Sequence, residues 1–115
     1  MEYLLLIYSD EKDMAATPPA ELEQMMGAYM AYTQALAGAN VLRGGNRLRP
    51  ISAATTVRTT GGKTQTLDGP FAETREQLGG YYLIDVPDLD AALSWASRCP
   101  GAQYGSVEVR PIWAM

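Results

Sequence analysis

Hydrophobic residues occur in short blocks that are separated by turn-forming residues. The block from Tyr3 to Tyr8 is almost continuously apolar and stops at Ser9-Asp10, which is typical of a strand buried on both faces in the middle of a sheet. Three later blocks also predict strands, at Val41 to Leu48, Tyr81 to Val86 and Ser106 to Arg110. A Gly-Gly pair interrupts the first of these three and predicts a bulge or bend.

Apolar residues at spacings of three and four predict two amphipathic helices. The first has Thr17 as N-cap and Pro18 at its first helical position, and it runs for about five turns to Gly38. The second has Asp88 as N-cap and ends at Pro100-Gly101. Its predicted buried face consists of Leu89, Ala92, Leu93 and Ala96.

Two β-branched segments, Thr55 to Thr60 and Lys63 to Leu67, flank Gly61-Gly62 and predict a hairpin. Without this hairpin the predicted order is βαββαβ, so we expect a single α+β domain over residues 1–115 with a ferredoxin-like fold and an inserted hairpin. Both helices then cover one face of the sheet. A second copy is the simplest cover for the other face, which predicts a homodimer with the sheets face to face.

Composition narrows the classes of function. The chain of 115 residues has a formal charge of −4 and only nine Lys and Arg, which argues against nucleic acid as a direct partner. The apolar run Tyr3 to Tyr8 is too short to span a membrane. Cys99 stands alone and histidine is absent, so we predict no disulfide, no zinc or haem, no cofactor and a cytoplasmic location. The one kind of metal site that the composition allows is a hard cation bound by carboxylates.

The segment from Asp68 to Tyr81 carries the densest candidate chemistry. Gly69-Pro70 shapes a turn, and Asp68, Glu73 and Glu76 place three carboxylates around it. Crowded carboxylates shift one another's pKa, which suits one of them to act as acid or base. In the alternative interpretation Asp68 caps the turn while the two glutamates face solvent.

A second candidate group follows the first strand, where Tyr8 and Asp10 place a phenol beside a carboxylate. The alternative is a strand-end tyrosine that reaches water beside an Asx-turn. Tyr81 and Tyr82 lie on opposite faces of their strand, one towards the helices and one towards the partner. The catalytic candidates are Asp68, Glu76, Tyr8 and Asp10, and the ligand-binding candidates are Glu73, Gln77, Tyr81 and Arg43. Arg43 would bind an acidic ligand if its side chain pointed into the cleft. In the alternative, the side chain is exposed to solvent at the edge of the sheet.

The segment from Asp68 to Tyr81 resembles the hallmark of the DGPF-motif branch of the YCII-related family. The first strand, the second helix with Arg98-Cys99-Pro100, and the closing Val107 to Pro111 resemble the family in the same order. The resemblance implies a dimeric α+β barrel. It also implies an association with extracytoplasmic-function sigma factors, and it implies no particular reaction. The histidine–aspartate pair suggested for the wider group cannot exist here, so any chemistry needs carboxylate, phenol or guanidinium groups.

Three functional hypotheses follow. The first is a cytoplasmic homodimer with a cleft for a small polar metabolite, in which a carboxylate acts as base for cofactor-free proton transfer or lyase-type chemistry. The second is a non-catalytic regulator that binds a sigma factor. The third is a stable dimer whose motif only shapes the loop, with Asp68 and Glu76 satisfied by structural partners.

Overall fold

The computed structural model describes residues 1–115 and contains six strands, four α-helices and one 3-10 turn. In chain order these are β1 Glu2–Ser9, α1 Glu11–Ala15, α2 Pro19–Gly38, β2 Leu42–Arg47, the 3-10 turn Ile51–Ala53, β3 Thr55–Thr60, β4 Lys63–Asp68, β5 Gln77–Asp85, α3 Leu89–Arg98, α4 Gly101–Tyr104 and β6 Ser106–Pro111. No helix is long and apolar enough to cross a membrane.

Four strands form the main sheet in the order β2-β5-β1-β6, and every neighbouring pair is antiparallel. Strands β3 and β4 form a separate two-stranded sheet. With that hairpin set aside, the order is that of a ferredoxin-like α+β fold, which confirms the predicted fold class. The predicted bulge in β2 is also present, as a register shift between Leu42 and Gly44.

Strand register separates the two faces of the sheet. Leu5 of β1 is opposite Tyr82 of β5 and Val109 of β6, so these side chains share the face that the helices cover. Tyr3, Leu5 and Ile7 are buried on that face, whereas Leu4 and Leu6 on the other face stay partly exposed. In one chain β1 is therefore buried on one face only, and its central position in the sheet is as predicted.

The core lies between the sheet and helices α2 and α3. The Tyr32 hydroxyl of α2 donates a hydrogen bond to the Trp95 carbonyl of α3, at 2.7 Å. The Tyr32 ring also meets the Tyr82 ring edge-on, with centroids 5.4 Å apart. The Tyr82 hydroxyl lies 2.7 Å from Thr33 Oγ1, which confirms that Tyr82 faces the helices. These contacts lock both helices onto one face of the sheet.

The ends and faces of the helices differ from the prediction in two places. Asp88 does cap α3, since its side chain accepts a hydrogen bond from the Ala91 N–H. Thr17 does not cap α2, because Pro18 is the N-cap residue and the Thr17 hydroxyl donates to the Asp13 carbonyl instead. On α3, Ala92 and Ala96 are buried as expected, but Leu89 and Leu93 are exposed.

Strand β5 begins four residues earlier than predicted, at Gln77. The predicted strand started at Tyr81, because the apolar block begins there and residues 77–80 include two glycines. Gly80 instead pairs with Arg47 in the sheet, and a Cβ at that position would lie 2.9 Å from the Asn46 carbonyl oxygen. Glycine therefore permits the close approach of β2 and β5 at this position.

Candidate functional site

A shallow cleft of about 490 Å³ opens at the end of β1 and is lined by Asp10, Asp13, Arg75 and Glu76. Two of these residues, Asp10 and Glu76, are among the predicted catalytic candidates. They belong to segments that are distant in sequence and are brought together by the antiparallel pairing of β1 with β5. The fold thus brings one residue of each predicted candidate group, Asp10 and Glu76, to the same cleft.

Asp10 reaches the cleft because β1 ends at Ser9 and α1 starts immediately after it. Its side chain accepts a hydrogen bond of 2.9 Å from the Lys12 N–H and caps α1. One turn later α1 presents Asp13 to the same cleft. The capping role explains an aspartate at position 10 on structural grounds and also fixes the direction of its carboxylate.

Glu76 is held in place by its neighbours. The Ser106 hydroxyl donates a 2.7 Å hydrogen bond to Glu76 Oε1, while Oε2 has no hydrogen bond. Ser106 owes its position to Gly105, where any Cβ would overlap the Tyr8 carbonyl oxygen. The close approach of β6 to the end of β1 therefore orients one oxygen of the Glu76 carboxylate, and the other oxygen has no hydrogen-bond partner in the chain.

Gln77 holds the rim of the cleft together. Its Oε1 accepts from the Glu11 N–H at 2.9 Å, and its Nε2 donates to the Thr74 carbonyl at 2.6 Å. The Glu11 carboxylate in turn accepts from the Ile51 N–H at 3.0 Å. In this structure Gln77 binds backbone groups on both sides of the cleft, so its side chain supports α1 and the loop.

The two predicted tyrosines lie on the sheet face that the helices leave uncovered. Tyr8 is opposite Ser106 in the register of β1 and β6, so its ring is next to the serine that binds Glu76. Tyr81 lies on the same face further along β5, and its hydroxyl accepts a 2.9 Å hydrogen bond from Asn46. Tyr8 therefore lies on the uncovered face at the end of β1, next to the residue that binds Glu76.

Asp68 and Glu73 do not line the cleft. Asp68 is the last residue of β4, pairs with Thr55, and is exposed with no side-chain hydrogen bond. The turn after it is shaped by Gly69, whose φ is 105° and whose N–H donates to the Ala54 carbonyl at 2.7 Å. The alternative in which Asp68 caps the turn is not the observed arrangement, because backbone groups close the turn. Glu73 is also exposed.

Arg43 binds groups on its own surface. Its guanidinium donates to the carbonyls of Asn40 and Leu42 and lies 3.7 Å from the Asp85 carboxylate. A hydrogen bond from the Met1 amine, supported by the charges of that amine and of Arg43, lowers the pKa of Asp85. Arg43 thus occupies a surface charge cluster and does not line the cleft.

Two residues of the cleft were missed by the sequence reasoning, Asp13 and Arg75. Arg75 forms no ion pair. Its guanidinium therefore lines the cleft together with the carboxylates of Asp10, Asp13 and Glu76 without being bound to any of them. The only available signal was its position inside the polar segment from Asp68 to Tyr81. The sequence carried no signal for Asp13, because helix α1 was not predicted. No group of three or more carboxylate or thiol side chains has the spacing to hold a metal ion.

Comparison with known proteins agrees with this architecture. The family model described as the YCII-related domain matches residues 1–115. An uncharacterised protein of Rhizobium meliloti is 43% identical over 114 residues, covering 97% of this chain and 92% of that protein. The solved structure of 5-chloro-2-hydroxyhydroquinone dehydrochlorinase from Burkholderia phenoliruptrix aligns with a TM-score of 0.51 and 13% identity, over 98% of this chain and 94% of that one. The protein therefore belongs to the YCII-related family.

Proposed function

We propose that the protein is a homodimer that binds a small polar metabolite in the cleft formed by Asp10, Asp13, Arg75 and Glu76. The observation that carries this proposal is the Glu76 carboxylate, which lines the cleft, accepts a hydrogen bond from Ser106 at Oε1 and has no hydrogen bond at Oε2. A ligand with a hydroxyl or amine donor would bind that oxygen, and Arg75 would bind an oxygen of the same ligand. We place this activity in the cytoplasm, in keeping with a free and buried Cys99.

The proposed chemistry is cofactor-free proton transfer, with Glu76 as the base. A positioned carboxylate can accept a proton from carbon or oxygen when the ligand lies within hydrogen-bond distance. Tyr8, on the other side of Ser106, would orient the ligand or hold its oxygen. The structural neighbour from Burkholderia is named as a dehydrochlorinase, so a protein of this fold carries an elimination activity, and a lyase-type reaction is compatible with the scaffold.

The homodimer is proposed from the uncovered sheet face. Leu4, Leu6 and Leu83 lie on it at the centre of the sheet and are only partly exposed. A second sheet packed on this face would bury those leucines. It would also bring the second copy against Tyr8, so the cleft would open at the edge of the interface. The dimer would then shield the ligand from water on one side.

The test uses two glutamates of the same loop. Thermal-shift screening against a metabolite library should find a ligand that raises Tm by about 10 °C at a hundredfold excess over Kd. Glu76→Gln should remove most of the shift, because an uncharged amide binds a hydroxyl or amine donor more weakly than a carboxylate does. Glu73→Gln is the matched control, since Glu73 is exposed outside the cleft, and it should keep the shift.

The outcome that contradicts the cleft is an equal shift in the wild type and in Glu76→Gln. Asp68→Ala tests whether the ligand binds at Asp68 instead, because Asp68 does not line the cleft in one chain. If Asp68→Ala removed ligand binding while Glu76→Gln retained it, the site would lie on the hairpin side of the loop. Turnover assays on the ligand that binds would then show whether binding is accompanied by catalysis.

A second function is a regulator that binds another protein such as a sigma factor. The observation that favours it is a set of large apolar side chains on the outer faces of the helices. Met26 and Met30 of α2, and Leu89 and Leu93 of α3, are exposed, and each pair has the i,i+4 spacing of one helix face. This function predicts that a sigma factor is recovered by pull-down and that charge substitution at Leu93 prevents it, while no metabolite shifts Tm.

A further inference from the structure

The hairpin arm, residues Thr55–Asp68, stands apart from the main sheet. Strands β3 and β4 pair only with each other, and all of their residues except the partly buried Thr56 are exposed. Both glycines of the connecting turn have positive φ, 59° for Gly61 and 79° for Gly62, which gives a tight turn whose twist suits the strands. The arm is a regular β-ribbon without a layer beneath it.

The dimensions of the molecule show the consequence. The radius of gyration is 16.0 Å, whereas a compact domain of this length has about 13 Å. The extents are 47 × 43 × 18 Å, so one chain is broad and thin. An isolated two-stranded hairpin is only marginally stable in water. The arm therefore needs a surface to pack on that the chain itself does not provide.

The two faces of the arm differ in their side chains. Leu67 is opposite Thr56, and Arg58 is opposite Gln65, so these four side chains share one face. With Phe71, and with Thr66 from the other face, they line a groove of about 610 Å³ in which Leu67 and Phe71 are the two hydrophobic residues. Leu67 is 64% exposed and Phe71 is 79% exposed. On the opposite face Val57 is 62% exposed and is accompanied by threonines and by Asp68.

The charge of the arm indicates which kind of surface could pack against its groove face, the face that carries Thr56, Arg58, Gln65 and Leu67. The arm carries Arg58 and Lys63 against one acidic residue, Asp68, and so has a formal charge of +1, while the whole chain has a formal charge of −4. The remainder of the chain is therefore more acidic than the total indicates. A cationic arm, whose groove combines Leu67 and Phe71 with polar side chains, is complementary to an acidic surface such as that of another copy of this chain.

We propose that the groove face of the hairpin arm packs against a second copy of the protein in the dimer. Phe71 and Leu67 form the apolar centre of this contact, and Arg58 pairs with an acidic side chain of the partner. Aromatic and arginine side chains surrounded by polar residues are the usual composition of an interface centre. In a symmetric dimer both arms dock, so the contact occurs twice. The inference rests on the proposed homodimer and assigns it a second contact surface besides the sheet.

The test compares two residues of equal exposure on opposite faces of the arm. Leu67→Thr should raise the dimer dissociation constant at least tenfold in sedimentation equilibrium, because it removes the apolar centre. Val57→Thr is the matched control and should change it by less than threefold. Threonine is a good strand former, so the ribbon should persist in both variants. An equal effect of the two variants, or a larger effect of Val57→Thr, would overturn the assignment of the groove face.

Hydrogen exchange provides a readout that does not depend on substitution. Amides of residues 55–68 that do not pair within the ribbon should exchange more slowly at protein concentrations above the dissociation constant than below it. In Leu67→Thr this difference should disappear at the concentration where the wild type shows it. Identical exchange of the arm in dimer and monomer would refute the docking of the arm.

These experiments distinguish a failure of the arm contact from a failure of the proposed ligand-binding cleft. Glu76→Gln should leave the dissociation constant unchanged, because it alters the cleft and not the arm. A wild type that stays monomeric at all concentrations would overturn both the dimer and the arm contact, and the ligand-induced Tm shift would still report on the cleft. A dimer unaffected by Leu67→Thr would overturn the arm contact alone.

Discussion

Tyr32 joins three parts of the core. Its hydroxyl binds the Trp95 carbonyl at 2.7 Å, and its ring lies edge-on to Tyr82 and to Trp95. Burial raises the pKa of Tyr32 above its usual value of about 10, and the neighbouring Cys99 adds to this effect. The folded protein therefore keeps this phenol protonated at a pH where the unfolded chain ionises it.

The sign of the pH dependence follows from that difference. Above pH 10 the unfolded state loses the Tyr32 proton first, so the free energy of unfolding falls as the pH rises, by about 1.4 kcal/mol per pH unit for one such group. Tyr32→Phe should reduce this loss by about 1 kcal/mol between pH 10 and 11, where the unfolded tyrosine passes from half to mostly ionised, measured by urea unfolding. At pH 8 it should cost about 1 kcal/mol through the lost hydrogen bond. Tyr104→Phe, at an exposed position, is the control, and an unchanged slope in Tyr32→Phe would contradict the argument.

Helix α3 depends on its cap more than α2 does. It has 10 residues, and isolated helices of this length are marginal in water. Asp88 accepts a 2.9 Å hydrogen bond from the Ala91 N–H. Asp88→Ala should therefore lower the free energy of unfolding by about 1 kcal/mol, while Asp88→Asn should retain most of it, because both side chains offer a capping oxygen. Equal losses in the two variants would show that the carboxylate charge, and not the cap, matters.

Local patterns predicted the elements well wherever the deciding interactions are local. The cap at Asp88 and the turn at Gly61-Gly62 are encoded by adjacent residues, and both were correct. The start of β5 was not, because Gly80 is required by the Asn46 carbonyl on a neighbouring strand, which no local pattern shows. Exposure of Leu89 on α3 was missed for a similar reason, since the sheet contacts select which side of the helix is buried.

The cleft could be predicted only in part. Asp10 and Glu76 were each chosen from their own segment, but their meeting depends on the register of β1 with β5. Arg75 precedes Glu76 directly and carries the opposite charge, yet nothing in the sequence distinguished it from a solvated arginine. Which residues line the cleft is therefore set by the pairing of strands that are distant in the sequence.

One chain is 18 Å thin along its shortest axis and has apolar residues on the uncovered face of its sheet. Leu6 lies at the centre of that face, opposite Glu108 of β6. Leu6→Lys should therefore keep the fold of a single chain, because position 6 is only partly buried there and the new ammonium group joins the Glu108–Arg110 ion pair on the same face. In the dimer the same ammonium group would be buried between two sheets at a high cost in free energy.

Light scattering after size exclusion measures the result. The wild type at micromolar concentration should have twice the 12.5 kDa mass of one chain, and Leu6→Lys should have the mass of one chain with an unchanged far-UV circular dichroism spectrum. Leu93→Lys places the same charge on the exposed face of α3 and should remain dimeric. If Leu6→Lys stayed dimeric and Leu93→Lys dissociated, the two copies would associate through their helices, and Tyr8 and the cleft would face solvent instead of the interface.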